Sequence, residues 1–162
     1  CRMESYTQAQ DILTLVRNLF TLKIYQKLLR RKLKQMPSFG KRSQEKLQDC
    51  DPRIQLVLQE AIKHYDFSVL EGYRTEEKQQ EYFESGASKV QYPNSKHNSC
   101  PAMAVDVVPY PIDWDNLQRF KELSEVIKTA CKTVGVNDLH WGFDLWQWDM
   151  PHWELRNEPV SF

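Results

Sequence analysis

Cysteine is scarce: four residues in 162, at positions 1, 50, 100 and 131. Cys1, Cys50, Cys100 and Cys131 are too few and too scattered for a disulfide scaffold. No Cys-x-x-Cys pair occurs, which excludes a zinc ribbon and a thioredoxin-like redox motif. Free thiols in a reducing compartment are the expectation. Long apolar runs are also missing. The longest, Ile12 to Tyr25, is broken by Arg17, Asn18 and Lys23 and is too short and too polar to span a membrane. It has neither the uninterrupted apolar region nor the small-residue cleavage site of a signal peptide, so synthesis in the cytoplasm without an export signal is expected. Net charge is absent too, with 22 Lys and Arg against 22 Asp and Glu. No field spread over the whole chain would draw in a nucleic acid, and no such partner is expected. There is no internal repeat and no low-complexity tract.

What is present is unevenly placed. Residues 1–46 hold eleven basic residues against three acidic ones, and the rest of the chain holds eleven against nineteen. Ile12, Leu15, Val16, Leu19, Leu22, Leu28, Leu29 and Leu33 recur at helical spacing, which predicts one amphipathic helix over 9–35. Lys23 to Lys34 carries six basic residues and no acid. That face is either a solvated surface or, over residues 17–34, a contact for anionic membrane or cell-wall polymer. The organisation read from this is a basic helical extension at 1–35, then a linker over Met36–Ser43, within a domain at 36–162.

Within that domain, Pro52 to Tyr65 reads as a helix with Ile54, Val57, Leu58, Ala61 and Ile62 on one face. Phe67–Tyr73 alternates as a strand. Thr75 caps a helix through Phe83, with Glu76 and Glu77 in its favoured first turn. "AMAVDVVPY" reads as a strand closed by prolines, and Asp115 as the cap of a long helix ending at Gly135. "LHWGF" and "PHWELR" read as short final strands. Helices and strands mix without regular alternation, so the fold class is α+β: a small antiparallel sheet flanked by helices. A monomer is expected.

Asp106 stands between Val105 and Val107, where a strand interior favours neutral residues. A buried carboxylate needs charge or hydrogen bonds to hold it. Among the four histidines, His97 opens the approach to this strand and His152 sits in "DMPHWEL". Two imidazoles and one carboxylate suit a catalytic zinc that keeps a fourth position open. Asp149, three residues before His152, is the candidate base, and Arg74, with its fixed fork of donors, the candidate for an oxyanion. The pattern is only moderately specific. Asp106 could instead pair with Arg74, Asp149 could serve a turn, and Cys100 is a rival ligand to Asp106. His64, at a helix end, needs no more than the helix dipole. His140 reads as structural or pocket-lining. Of Trp141, Trp146, Trp148 and Trp153, most read as core and some as walls of a cleft.

The segments "SKHN", "AVDVVPYPIDW", "GYRTEEKQ", "LHWGFD" and "DMPHWEL" resemble the zinc-dependent peptidases that cut bacterial peptidoglycan stem peptides. The resemblance runs from about Met36 to Arg156 and leaves out the basic helix. It implies one Zn2+ held by His97, Asp106 and His152, with Asp149 as catalytic carboxylate and Arg74 as the substrate and transition-state arginine. Gln79 and Ser95 match recurrent positions beside the site. Glu154, two residues after His152 on the same strand face, would orient a ligand. The step from His97 to Asp106 is nine residues, where the commoner form has seven, which puts the Asp106 assignment in question. An aspartate base and the "VDVVPYPIDW" wording favour the phage endolysin branch, an L-alanyl-D-glutamate endopeptidase acting on the bacterial cell wall or periplasm. The alternatives are a D-alanyl-D-alanine carboxypeptidase or dipeptidase, or a non-catalytic zinc-containing binding module. The implied partner is the stem peptide of peptidoglycan.

Overall fold

The structure is a computed structural model that describes residues 21–28 and 36–157. The chain divides into two units, Cys1–Met36 and Pro37–Phe162. In the first, residues 21–28 are helical; the rest of the helix expected over 9–35 lies outside the described residues. No helix among the described residues is long and apolar enough to cross a membrane.

The second unit mixes helices and strands in the order α1 (Lys41–Leu47), α2 (Pro52–Ala61), β1 (Phe67–Glu71), α3 (Glu76–Glu84), β2 (Ala104–Pro109), α4 (Leu117–Val134), β3 (Leu139–Trp141), α5 (Gly142–Trp146) and β4 (His152–Leu155). The strands form one sheet, ordered β1-β2-β4-β3, with every neighbouring pair antiparallel. Ile54, Val57, Leu58 and Ala61 of α2 and Phe120, Leu123, Ile127 and Ala130 of α4 are buried. The two helices pack together, and their apolar stripes join Val105, Val107 and Trp153 of the sheet in one core. Asp51 caps α2 by accepting from the Arg53 amide at 2.9 Å, with Pro52 in the first helical position.

Three local expectations change. Met36–Ser43 is not wholly linker, because α1 begins at Lys41. Its stability is tertiary: Leu47 and Ser43 face inward, Ser43 Oγ accepts from the Val69 amide at 3.1 Å, and the preceding Phe39 packs edge-on against Phe67. Asn116 rather than Asp115 caps α4, its side chain accepting from the Arg119 amide at 3.3 Å. "LHWGF" is strand only to Trp141, after which Gly142 opens α5.

β1 contains a bulge. Val69 faces Val107, but the next paired residue is Glu71, opposite Asp106. The extra residue turns the end of β1 and aims Glu71, Gly72 and Arg74 at the middle of β2.

Candidate metal centre and cleft

β2 and β4 pair with Asp106 opposite His152 and Val105 opposite Trp153. Strand alternation sends Val105 and Trp153 into the core and turns the Asp106 and His152 side chains away from it. The third member comes from a single 3-10 turn, Lys96–Asn98, capped by Ser95, whose hydroxyl accepts from the His97 amide at 3.3 Å. That turn is stitched to the segment after β1. The Arg74 amide donates to the His97 carbonyl at 2.8 Å, and Asn98 Nδ2 donates to the Arg74 carbonyl at 2.9 Å.

The result is a convergence of three side chains. His97 Nε2 lies 3.2 Å from His152 Nδ1 and 3.4 Å from Asp106 Oδ1, and His152 Nδ1 lies 3.1 Å from Asp106 Oδ1. Each outer ring nitrogen has an acceptor of its own. His97 Nδ1 stands 2.7 Å from the Gly72 carbonyl, which can only accept, so Nδ1 carries the hydrogen. His152 Nε2 faces Glu154 Oε2 at 3.2 Å and donates to it in the same way. Both inner nitrogens then present lone pairs to each other and to a carboxylate oxygen. That meeting point calls for positive charge, a proton on His152 Nδ1 or a cation among the three, and the three groups could hold a metal ion.

The electrostatics show the same demand for positive charge beside Asp106. Burial opposes ionisation of Asp106, but charge and hydrogen bonds from His97 and His152 outweigh it and hold the carboxyl well below its usual range. Burial also opposes charge on His152, yet Asp106 and Glu154 carry its pKa up to about 9. Glu154 is lowered, chiefly by His152, against its own burial. Asp149 moves the other way: burial raises it, His152 opposes that, and Asp106 adds to it.

The nine-residue step from His97 to Asp106 is absorbed outside the triad. Met103 donates to the Lys96 carbonyl and Ala102 to the Asp49 carbonyl, each at 2.9 Å, so residues 99–103 loop out while β2 keeps its phase. Cys100 is exposed and does not line the cleft beside the triad.

Arg74 is buried, with its fork fully engaged. Nε and Nη2 both donate to Glu71 Oε2, the first at 2.8 Å, while Nη1 donates to Gln79 Oε1 at 3.0 Å. Nη2 also lies 3.6 Å from Asp106 Oδ2. The Tyr82 ring covers the guanidinium at 4.7 Å. Gln79, fully buried, donates in turn to Ser88 Oγ and to the Val90 carbonyl, which ties Arg74 to the loop after α3. Glu71 and Tyr82 have no counterpart in the sequence reading. An acid just before "GYR" was the available signal for Glu71; nothing in the sequence marks the Gly72 carbonyl.

The triad lines a cleft of about 670 Å³ together with Arg74, Ser95, Lys96, Trp146, Trp148, Asp149 and Glu154. Asp149, Arg74, Ser95 and Glu154 thus meet at one opening, and Gln79 lies behind it. His140, on β3 opposite Glu154, and His64, which pairs with Glu60 Oε1 at 3.3 Å, lie outside. Trp141 and Trp153 are core residues.

A sequence profile of the phage L-alanyl-D-glutamate peptidase family matches residues 36–157. The chain is 32% identical over 111 residues to the L-alanyl-D-glutamate peptidase of Escherichia phage T5, spanning 65% of this chain and 80% of that protein. Its fold is similar to the crystal structure of the Serratia marcescens L-Ala D-Glu endopeptidase ChiX, with a TM-score of 0.64, 27% identity, and coverage of 74% of this chain and 91% of that one. A match over three quarters of the sequence, with His97, Asp106 and His152 inside it, places this chain in the phage L-alanyl-D-glutamate peptidase family.

Proposed function

We propose that the protein is a zinc metallopeptidase that hydrolyses the L-alanyl–D-glutamate bond of peptidoglycan stem peptides in the bacterial cell wall. The observation that carries this is the convergence of His97 Nε2, His152 Nδ1 and Asp106 Oδ1, with both outer ring nitrogens already committed to acceptors. His97, Asp106 and His152 would hold one Zn2+, leaving a coordination place open to the cleft. When bound, zinc supplies Lewis acidity at a peptide carbonyl and makes water a stronger nucleophile at neutral pH.

The chain's own groups do the rest. Asp149, in the cleft and raised by burial, takes a proton from the attacking water and returns it to the leaving amino nitrogen. Arg74 places a permanent positive charge on the same cleft, where charge develops on the carbonyl oxygen. Gln79 and Glu71 hold that guanidinium in place, Ser95 holds the His97 turn, and Glu154 fixes the tautomer of His152. Lys96 lies on the cleft and suits an acidic stem peptide. The enzyme works as a monomer, and the basic segment 17–34 is either a solvated surface or a contact for anionic wall polymer or membrane.

Digestion of purified peptidoglycan by the wild type and by Asp149→Ala, read by mass spectrometry of new amino termini, tests this. New N-terminal D-glutamate should appear with the wild type alone. Equal digestion by both removes Asp149 from the mechanism, and a different new terminus reassigns the bond.

A further inference from the structure

Two tryptophans of the cleft keep much of their surface open. Trp146 is 40% exposed and Trp148 59%, whereas Trp141 and Trp153 of the same stretch are buried. Trp146 ends α5, and Gln147 follows with φ 67°, a left-handed conformation that side-chain-bearing residues seldom adopt. Such a turn between two large aromatics sets the indoles side by side, their centroids 6.4 Å apart and their planes 32° from parallel. Trp146 also lies 5.7 Å from the His152 imidazole. The aromatic pair therefore begins where the triad ends. Open aromatic faces next to a polar centre are a binding surface rather than unfinished core.

The remainder of the cleft has a different chemistry. The 87–96 stretch contributes Ser88, Lys89, Asn94 and Lys96. Lysine ammonium groups attract the carboxylates of an acidic stem peptide. Uncharged indole faces favour an uncharged ring with C–H groups on its face.

We propose that Trp146 and Trp148 form a subsite for the N-acetylmuramoyl sugar of the glycan strand, so that the enzyme recognises stem peptides still attached to glycan. This rests on the reading that the L-Ala–D-Glu bond is the one cut. In peptidoglycan the amino group of L-alanine is joined to the lactyl arm of the sugar. The sugar therefore stands two links before the scissile bond. Alanine and lactyl are two residue-sized links of at most ~3.5 Å each, which places the ring about 7 Å from the reacting bond. The Trp146 ring, 5.7 Å from the His152 imidazole, lies within that reach, and Trp148 extends the surface. An enzyme cutting at the D-alanine end would have no sugar within reach of these rings. The arrangement thus sets the direction of the substrate, with the sugar on the indoles and the acidic peptide toward the lysines.

The test compares the full-length wild type, Trp148→Ala and Trp148→Phe on two substrates. One is an N-acetylmuramoyl-L-alanyl-D-glutamyl peptide; the other is the same peptide with an acetyl group in place of the sugar. The exposure of Trp148 means that its removal opens no core cavity. The wild type should prefer the sugar-bearing substrate by about tenfold in kcat/KM, the scale of one good stacking contact. Trp148→Ala should lose that preference through KM, its kcat/KM falling by a larger factor on the sugar-bearing substrate than on the acetylated peptide, while Trp148→Phe should retain most of it. Equal kcat/KM of the wild type on both substrates overturns the subsite and leaves the peptidase reading intact. The same factor of loss on both substrates with Trp148→Ala also overturns it, since the indole then serves the peptide or the fold. Cleavage of neither substrate by the wild type sinks the peptidase reading, and the subsite with it.

Discussion

The Gly72 carbonyl accepts the Nδ1 hydrogen of His97 at 2.7 Å, and no side chain fits at Gly72. A Cβ there would collide with the Lys46 carbonyl and lie 2.6 Å from Cys50 Sγ. The glycine lets the end of β1 press against α1, and that approach aims the carbonyl at the imidazole. Gly72→Ala should therefore cost about 1–3 kcal/mol through overpacking. By displacing the acceptor it should also weaken zinc binding roughly 10- to 100-fold. Denaturant midpoints and zinc competition measure the two effects. Unchanged zinc affinity would show that the carbonyl does not orient His97.

Glu71 keeps Arg74 from competing for Asp106. The guanidinium touches both carboxylates but makes its close bonds to Glu71, which Lys78 also engages. With Glu71→Gln the pair loses its anion, and the nearest remaining one is Asp106 Oδ2, 3.6 Å from Nη2. The variant should lose about 3 kcal/mol of stability, as expected when one partner of a buried pair is removed. Zinc affinity should fall with it, because Asp106 is drawn toward the arginine. Glu71→Asp should recover part of both. A stability loss with unchanged zinc affinity would confine Glu71 to the fold.

Asp149 depends on empty space at Gly142. A Cβ at Gly142 would lie 2.8 Å from the Asp149 carbonyl oxygen, 3.2 Å from its Cβ and 3.0 Å from the His152 Cβ. Asp149→Asn should lower kcat roughly 10²- to 10⁴-fold, the usual contribution of general acid–base catalysis, with zinc stoichiometry and melting temperature intact. Gly142→Ala should also lower kcat, by moving the same carboxylate. Steady-state kinetics and metal analysis separate the two: the first variant keeps the site's shape, and the second shifts it. Full activity in Gly142→Ala would mean that Asp149 tolerates displacement.

The convergence of His97, Asp106 and His152 should make the fold itself sensitive to metal. An ion that binds only the native state adds about 2.7 kcal/mol of stability at one hundred times its Kd. Chelation should lower the melting temperature as well as the activity, and stoichiometric zinc should restore both. An unchanged melting temperature on chelation would mean that no ion bridges these three side chains.

The legible parts of this molecule are those where one side chain signals its own environment. α4 showed through because Phe120, Leu123, Ile127 and Ala130 repeat at helical spacing. Asp106 was conspicuous as a charge between two valines, and its partners were histidines, of which there are few. α1 was not visible, since only Ser43 and Leu47 face inward and two positions make no period. The Glu71 arrangement was hidden for a related reason: the bulge breaks the alternation that would have revealed its face. The Gly72 carbonyl is a backbone atom, and any residue type carries one. The contacts that hold the triad in place come largely from such tertiary approaches, which leave little trace in spacing.

Two buried thiols should make the fold lose stability at alkaline pH. Burial pushes Cys50 and Cys131 up to about 12 from an ordinary 9.0, and nearby aspartates add to the effect. Both side chains are almost fully enclosed, whereas Cys100 is exposed. In the unfolded chain the same thiols lose their protons near their ordinary value. Between about 9 and about 12 the folded state thus binds more protons than the unfolded one, and the derivative of unfolding free energy with pH is negative. Stability should be independent of these groups below pH 9 and fall steadily above it. Cys50→Ala and Cys131→Ala remove one thiol each; each should flatten the decline, whatever its cost at neutral pH. At pH 8, a thiol reagent followed by peptide mapping should label Cys100 in the native protein and reach Cys50 and Cys131 only after denaturation. Rapid native labelling of Cys50 would mean that the contact between α1 and the end of β1 opens readily, and the positioning of His97 by Gly72 would lose its basis.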